Sequence, residues 1–227
     1  MTRRFALGSA LAGALLLGSA MLPACLLQLD QGVPVELVTR FDAATGTSAD
    51  EATLRLDEAR LNIEDARLLL CAPAPEVRLL GPSLARADHA AGDPLAAPMP
   101  HVIALGAADS LGVMRPPAGR YCTLRVTVIP SAELGERTLV ARGQWERLGT
   151  SGSLELLAFG QRELDLPLEP ALAVETGEGS PQAARVELRV DLPSVLGAQP
   201  VVARSPDDLG LDVMIALAGA LEARVLP

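Results

Sequence analysis

The sequence contains no lysine, so all 19 of its basic residues are arginines, and 28 acidic residues outnumber them. The formal net charge is −9, and it becomes −11 once Arg3 and Arg4 leave with the N-terminal leader described below. A surface of this sign repels phosphate backbones and anionic lipid headgroups. The composition therefore argues against nucleic acid as a partner.

Aromatic residues are equally scarce: one Trp, one Tyr and three Phe in 227 residues. This scarcity argues against a surface that stacks on sugars or bases. The sequence also lacks a nucleophile constellation, a phosphate-binding loop and a clustered metal motif. Its carboxylates fall at predicted strand edges and turns, where a solvated role is expected. Together these absences predict a protein that is not an enzyme.

The first 24 residues have the pattern of a secretory leader. Arg3 and Arg4 form a charged start, and an apolar, small-residue run extends over residues 5–24. The run ends in Leu22-Pro23-Ala24-Cys25, which resembles the bacterial lipobox. We therefore predict a lipoprotein signal peptide over residues 1–24, lipidation of Cys25 and a tether over 25–32. The alternative is an ordinary signal peptide cleaved after Ala20 or Ala24.

This leader predicts a location in the bacterial cell envelope. The protein would be anchored in a membrane by its lipid and would face the periplasm or the outer surface. No Asp directly follows Cys25, so an inner-membrane retention signal of that kind is missing. The sequence does not distinguish the two membranes.

Three cysteines are an odd number for an exported protein, and lipidation of Cys25 would account for the unpaired one. Cys71 and Cys122 then remain, and an oxidising compartment permits them to form a disulfide. The alternative is a pair of buried, reduced thiols.

The rest of the chain, residues 33–227, reads as one domain built of short strands. Apolar and polar residues alternate in several segments separated by Gly- and Ser-rich breaks, and the most regular example is 116–130. There the period of two predicts Cys122, Leu124, Val126 and Val128 on one face. This pattern predicts a mainly β fold, an antiparallel β-sandwich.

Residues 52–70 allow two interpretations. As a helix, Ala52, Leu56, Ala59, Ile63, Ala66 and Leu70 would form an apolar stripe, but three leucines would lie on the far side. As a strand, the segment alternates in three groups, with candidate bulges at Asp57-Glu58 and Glu64-Asp65. We favour the strand because it accounts for every large apolar residue.

The C-terminal segment carries a helix start. Ser205 can cap the N-terminus, Pro206 suits the first helical position, and Asp207 and Asp208 complement the helix dipole. We predict a short helix to about residue 219 and a final strand over 221–226.

A family resemblance accompanies these patterns. The strand order, the turn of residues 117–122 (Pro-Ala-Gly-Arg-Tyr-Cys) and the strand of residues 186–191 (Val-Glu-Leu-Arg-Val-Asp) resemble the MbnP-like group. These are exported β-sandwich proteins associated with methanobactin loci, and some of them bind copper. The group's copper site uses several histidines and a modified tryptophan. This sequence offers two histidines and Trp145, so the resemblance implies the fold more than the metal site.

The candidate copper ligands are His89, Met99 and His101, with Met114 further along the chain, because imidazole and thioether together suit Cu(I). We weigh this against ordinary surface and strand-start histidines, which need no cofactor. The sequence therefore predicts a non-enzymatic lipoprotein with a binding or envelope-structural role, its partners being the membrane lipid and another envelope protein. A periplasmic copper-binding protein is the alternative.

Overall fold

Strands dominate the fold. The computed structural model describes residues 33–41, 45–71, 93–97, 101–106, 108–175 and 184–227. Within them the strands are β1 (Val35–Phe41), β2 (Thr45–Thr47), β3 (Thr53–Leu70), β4 (His101–Ala104), β5 (Ala108–Met114), β6 (Gly119–Val128), β7 (Leu139–Arg147), β8 (Thr150–Ala158), β9 (Arg162–Val174), β10 (Ala184–Val190) and β11 (Leu221–Leu226). The helices are α1 (Leu192–Leu196) and α2 (Pro206–Ala216), with 3-10 turns at Ala132–Leu134 and Leu217–Ala220. The predicted mainly β chain with a short C-terminal helix is confirmed.

The strands form one mixed sheet, curved like half a barrel. Its hydrogen-bonded neighbours follow one another as β5-β1-β10-β11-β9-β6-β3-β7-β8, and β2 and β4 each pair with β3 as well. The prediction of antiparallel pairing throughout is wrong at two places, because β1 runs parallel to β10 and β11 runs parallel to β9. Parallel neighbours require long connections, so they join segments far apart in the chain. Val35 pairs with Ala184 and Arg185 with Leu226, which brings the start of β1 and the end of β11 to the same end of the sheet.

The longest strand, β3, confirms the strand interpretation of residues 52–70. Its register shifts between Leu56 and Glu58 and again between Ile63 and Asp65, where the two bulges are predicted. At Leu61 it pairs with both β4 and β7, and at Ile63 with both β4 and β6. Strands β6 and β7 therefore lie end to end on one side of β3, and both pair with it. Strand β4 pairs with its other side.

The face of β6 differs from its prediction at two residues, Tyr121 and Cys122. Leu124, Val126 and Val128 are buried as expected, but Tyr121 is 1% exposed and Cys122 is half-buried. The reason is a bulge, because the pairing of β6 with β9 shifts between Tyr121 and Thr123. One extra residue turns the preceding side chains to the other face. The Tyr121 hydroxyl donates to the Pro117 carbonyl at 2.8 Å, so its polar end is satisfied inside.

Helix α2 begins as the sequence predicts and packs directly on β8. The Ser205 hydroxyl accepts a hydrogen bond from the Asp208 amide at 3.2 Å, and Pro206 is the first helical residue. Leu209, Gly210, Val213 and Met214 are its buried residues. A Cβ added at Gly210 would lie 2.2 Å from the Leu157 carbonyl oxygen, so the helix backbone touches β8. Among the described residues, none of the helices has the length and apolar character needed to span a membrane.

Candidate functional site

The disulfide joins the end of β3 to the start of β6. Cys71 and Cys122 are bonded with their Cα atoms 4.8 Å apart, inside the range that disulfides need. The Cys71 amide also donates to the Arg120 carbonyl at 2.9 Å, which extends the β3–β6 ladder by one bond. The predicted pair is thus brought together. The bond links two neighbouring strands at their ends.

The predicted copper ligands are only partly described. His101 is the first residue of β4, half-buried and paired with Ile63. Met114 ends β5 and is buried in the core at 1% exposure. His89 and Met99 lie outside the described residues. Within the described ranges, no three His, Cys, Asp or Glu side chains come close enough together to hold a metal ion.

An open cleft of about 490 Å³ lies where β1 and β10 run side by side. Its walls combine apolar, polar and charged side chains from three parts of the chain: Val38, Thr39, Arg40, Phe41, Gly106, Ala108, Arg185 and Glu187. The volume falls in the range of small-ligand sites, roughly 300–1,000 Å³.

Strand alternation decides which groups the cleft presents. Arg40 and Arg185 are exposed, whereas Thr39 is buried and donates through its hydroxyl to the Asp109 carbonyl at 3.2 Å. The Arg185 guanidinium is already paired, since its Nε lies 2.7 Å from Glu36 Oε2. Guanidinium groups bind carboxylates and phosphates through two parallel hydrogen bonds. Glu187 also lines the cleft, so charges of both signs lie next to the apolar side chain of Val38.

A second polar arrangement, around Asp50, fixes a loop. The Asp50 carboxylate accepts from the amides of Val202 at 2.9 Å and Val201 at 3.3 Å, and from the Ser48 hydroxyl at 2.5 Å. Burial raises the pKa of Asp50, but these hydrogen bonds outweigh burial, so its pKa lies below the usual value. The carboxylate ties the turn after β2 to the loop between α1 and α2.

The outer face of β6 and β9 carries a bidentate ion pair. Arg125 binds Asp165 through two hydrogen bonds, at 2.6 and 2.8 Å, and lies 3.0 Å from Glu163. The hydrogen bonds to Asp165 raise the pKa of Arg125, and those from Arg125 lower the pKa of Asp165. All three side chains are at least one-third exposed, so this pair contributes little to stability.

Sequence reasoning missed the cleft and the Asp50 hydrogen bonds for the same reason. Both depend on partners roughly 150 residues apart, such as Glu36 with Arg185 and Asp50 with Val202. Local alternation carries no information about such pairs. The only local signal was Ser48-x-Asp50, a sequence typical of a tight turn.

Comparison with known proteins finds nothing similar. No protein-family model matches the chain, and neither the curated proteins nor the solved structures contain a significant match. The fold itself defines a mainly β protein with a disulfide between two neighbouring strands.

Proposed function

We propose that the chain is an exported bacterial lipoprotein that works by binding or by supporting the envelope, without catalysis. The observation that carries the proposal is the disulfide between Cys71 and Cys122. Disulfides persist in oxidising compartments and are rare in the cytosol, where thiols are kept reduced. A bonded pair inside a β domain thus favours export, in agreement with the leader pattern at residues 1–24.

The proposed anchor is a diacylglyceryl group on Cys25, followed by a tether over 25–32 and one domain over 33–227. A single acyl chain binds membranes only weakly, whereas two chains anchor stably. The lipid would therefore hold the domain at the membrane surface, although the protein's charge alone would repel it. We also propose that the curved sheet closes its buried faces on each other in the manner of a β-sandwich.

The cleft beside β1 and β10 supports a binding role. It is open to solvent and presents Arg40 and Arg185 next to Val38. Such a surface of mixed charge suits a partner that offers both polar and apolar groups. The MbnP-like resemblance and its copper-binding alternative rest on short sequence motifs, and the copper titration described below tests that alternative.

Lipidation is tested in cells. With the wild-type chain, globomycin should block signal peptidase II and accumulate the uncleaved precursor. Cys25→Ser should remove the protein from the membrane fraction or stall it as a precursor, while Cys71→Ser should leave lipidation intact and serves as the matched control. Lack of precursor under globomycin would refute the anchor without bearing on the disulfide.

A further inference from the structure

Among the residues that the structure describes, the outer edge of β8 has no neighbouring strand. β8 ends the strand order of the sheet. A two-residue turn, Leu148-Gly149, joins it to β7, with φ of 50° and 76° as type I′ hairpins require. Natural edges are usually protected by lysine, proline or bulges. Between Thr150 and Ala158 the only charge is Glu155, and there is no proline.

The direction of each backbone amide and carbonyl in β8 shows which of them do not pair with β7. The Ala158 carbonyl accepts from the Thr138 amide at 2.9 Å, on the β7 side. Because amide and carbonyl groups alternate sides along a strand, those of Ser151, Ser153 and Glu155 point away from β7. Leu157 points the same way, but α2 covers its carbonyl at Gly210. The free edge is therefore the segment 150–156, whose middle residue is Ser153.

Exposed apolar side chains are concentrated on the elements next to this edge. Six large apolar residues are exposed in the described part of the chain, and four of them belong to the β7–β8 turn, the end of β8 or α2. Leu148 is 93% exposed at the turn, and Phe159 is 62% exposed just after β8. Leu211 and Ile215, one helical turn apart, are 58% and 64% exposed on α2.

The geometry points to a second copy of this chain as the occupant: we propose that two molecules pair antiparallel along β8, with Ser153 next to its own symmetry mate. In that register a residue a given number of positions before Ser153 pairs with the residue the same number of positions after Ser153 in the other copy. A two-fold interface requires this. The exposed turn at Leu148 of one copy then meets α2 of the other, because α2 covers the edge beyond residue 156. The exposed turn of each copy would thus pack on the apolar end of its partner, and about 24 Å of ladder would form between them.

Charge favours a second copy at this edge over other parts of the surface. The chain carries a net charge of −9, so two copies repel over most of their surfaces. Along 150–156, Glu155 is the only charged residue, and its Oε1 already lies 3.4 Å from Arg142 Nε in its own chain. In the proposed register Glu155 faces Ser151 of the partner. Like charges therefore do not meet directly across the ladder.

A cysteine at the centre of the edge tests the pairing in the full-length, anchored protein. Across the two-fold axis the Cα atoms of residue 153 would lie about 5.5 Å apart, within disulfide reach. Ser153→Cys should therefore give a disulfide-linked species of twice the monomer mass on non-reducing gels. Gln144→Cys is the matched control, because Gln144 is exposed on the same face and pairs with Ser153. Its symmetry-related Cα atoms would be about 14 Å apart, so it should not link.

A proline provides the complementary test. Ser153→Pro removes the outward amide, and an edge strand tolerates the substitution. In detergent-solubilised protein it should weaken dimerisation at least tenfold by sedimentation, with an unchanged circular dichroism spectrum. A wild-type monomer at the highest soluble concentration would overturn the proposal. So would equal linking by both cysteine variants, or linking of Ser153→Cys to a different protein, which would identify a heterologous partner strand instead.

Discussion

A glycine-to-alanine substitution should destabilise the protein at one position of the C-terminal segment, Gly210, and not at another, Gly219. Gly210 lies inside α2, where glycine normally costs about 0.5–1 kcal/mol relative to alanine. Propensity alone therefore predicts that Gly210→Ala stabilises the protein. The packing predicts the reverse, because the added Cβ would lie 2.2 Å from the Leu157 carbonyl oxygen and 2.8 Å from the Ala158 amide nitrogen.

The magnitude follows from what would have to move. The contacting atoms are strand backbone, so they cannot rotate away, and ordinary contact requires a separation of about 3.5–4 Å. Helix α2 would have to shift by more than 1 Å, which also disturbs the buried side chains of Leu209 and Val213. Overpacking of this kind costs about 1–3 kcal/mol. After subtracting the propensity gain, we expect Gly210→Ala to destabilise the protein, by up to about 2.5 kcal/mol.

Gly219 provides the matched control, since a Cβ there meets nothing within 4 Å. Urea unfolding of the two purified variants, followed by Trp145 fluorescence, measures both free energies of unfolding. Gly219→Ala should be neutral or slightly stabilising. If Gly210→Ala were as stable as the wild type, α2 would not be seated on the β8 backbone.

Three further predictions concern the disulfide, a carboxylate and copper. Mass spectrometry of non-reduced protein should show a linked Cys71–Cys122 peptide pair, and reduction should cost about 4 kcal/mol for a separation of 51 residues; two freely alkylatable thiols in exported protein would contradict the pairing. Asp50→Asn should destabilise the protein by about 1–3 kcal/mol at pH 7. Because its folded pKa is lowered, the stability that Asp50 provides is fully present above its unfolded pKa and disappears as pH falls through the folded one. The difference between wild type and variant should therefore shrink below about pH 4, and a constant difference would show that the charge is unimportant. Titration against a competing Cu(I) chelator should show no binding tighter than about micromolar; a one-to-one complex lost in His101→Ala would refute this.

The two bulges of β3 could be located from the sequence. The alternation of apolar and polar residues changes phase at two acidic pairs, Asp57-Glu58 and Glu64-Asp65, because a regular strand would turn one residue of each pair into the core. The bulge at Cys122 left no such mark. Either Tyr121 or Cys122 could be buried without exposing a charge to the core. Only the pairing with β9 decides between them. The prediction of a strand at β6 was right, but it assigned Cys122 instead of Tyr121 to the buried face.

Strand β5 and the parallel neighbours show what local patterns omit. β5 contains Asp109, Ser110 and Gly112, residues with low strand propensity, and it forms because β1 offers an edge to pair with. The parallel contact of β1 with β10 joins residues about 150 positions apart. Such pairings form because they bury apolar surface over the whole sheet, which a local sequence pattern does not show. The cleft depends on this same contact, so it could not be predicted without it.

The shared location of the two chain ends gives the proposed lipoprotein a defined orientation. A tether over 25–32 extends at most about 28 Å, so a lipid on Cys25 would keep the end of the sheet containing Val35 close to the membrane. Leu226 lies at that same end, whereas α1 follows directly from the opposite end of β10. A protein fused after Pro227 would therefore be held against the bilayer. A label placed near α1 would report from the side that faces into the surrounding compartment.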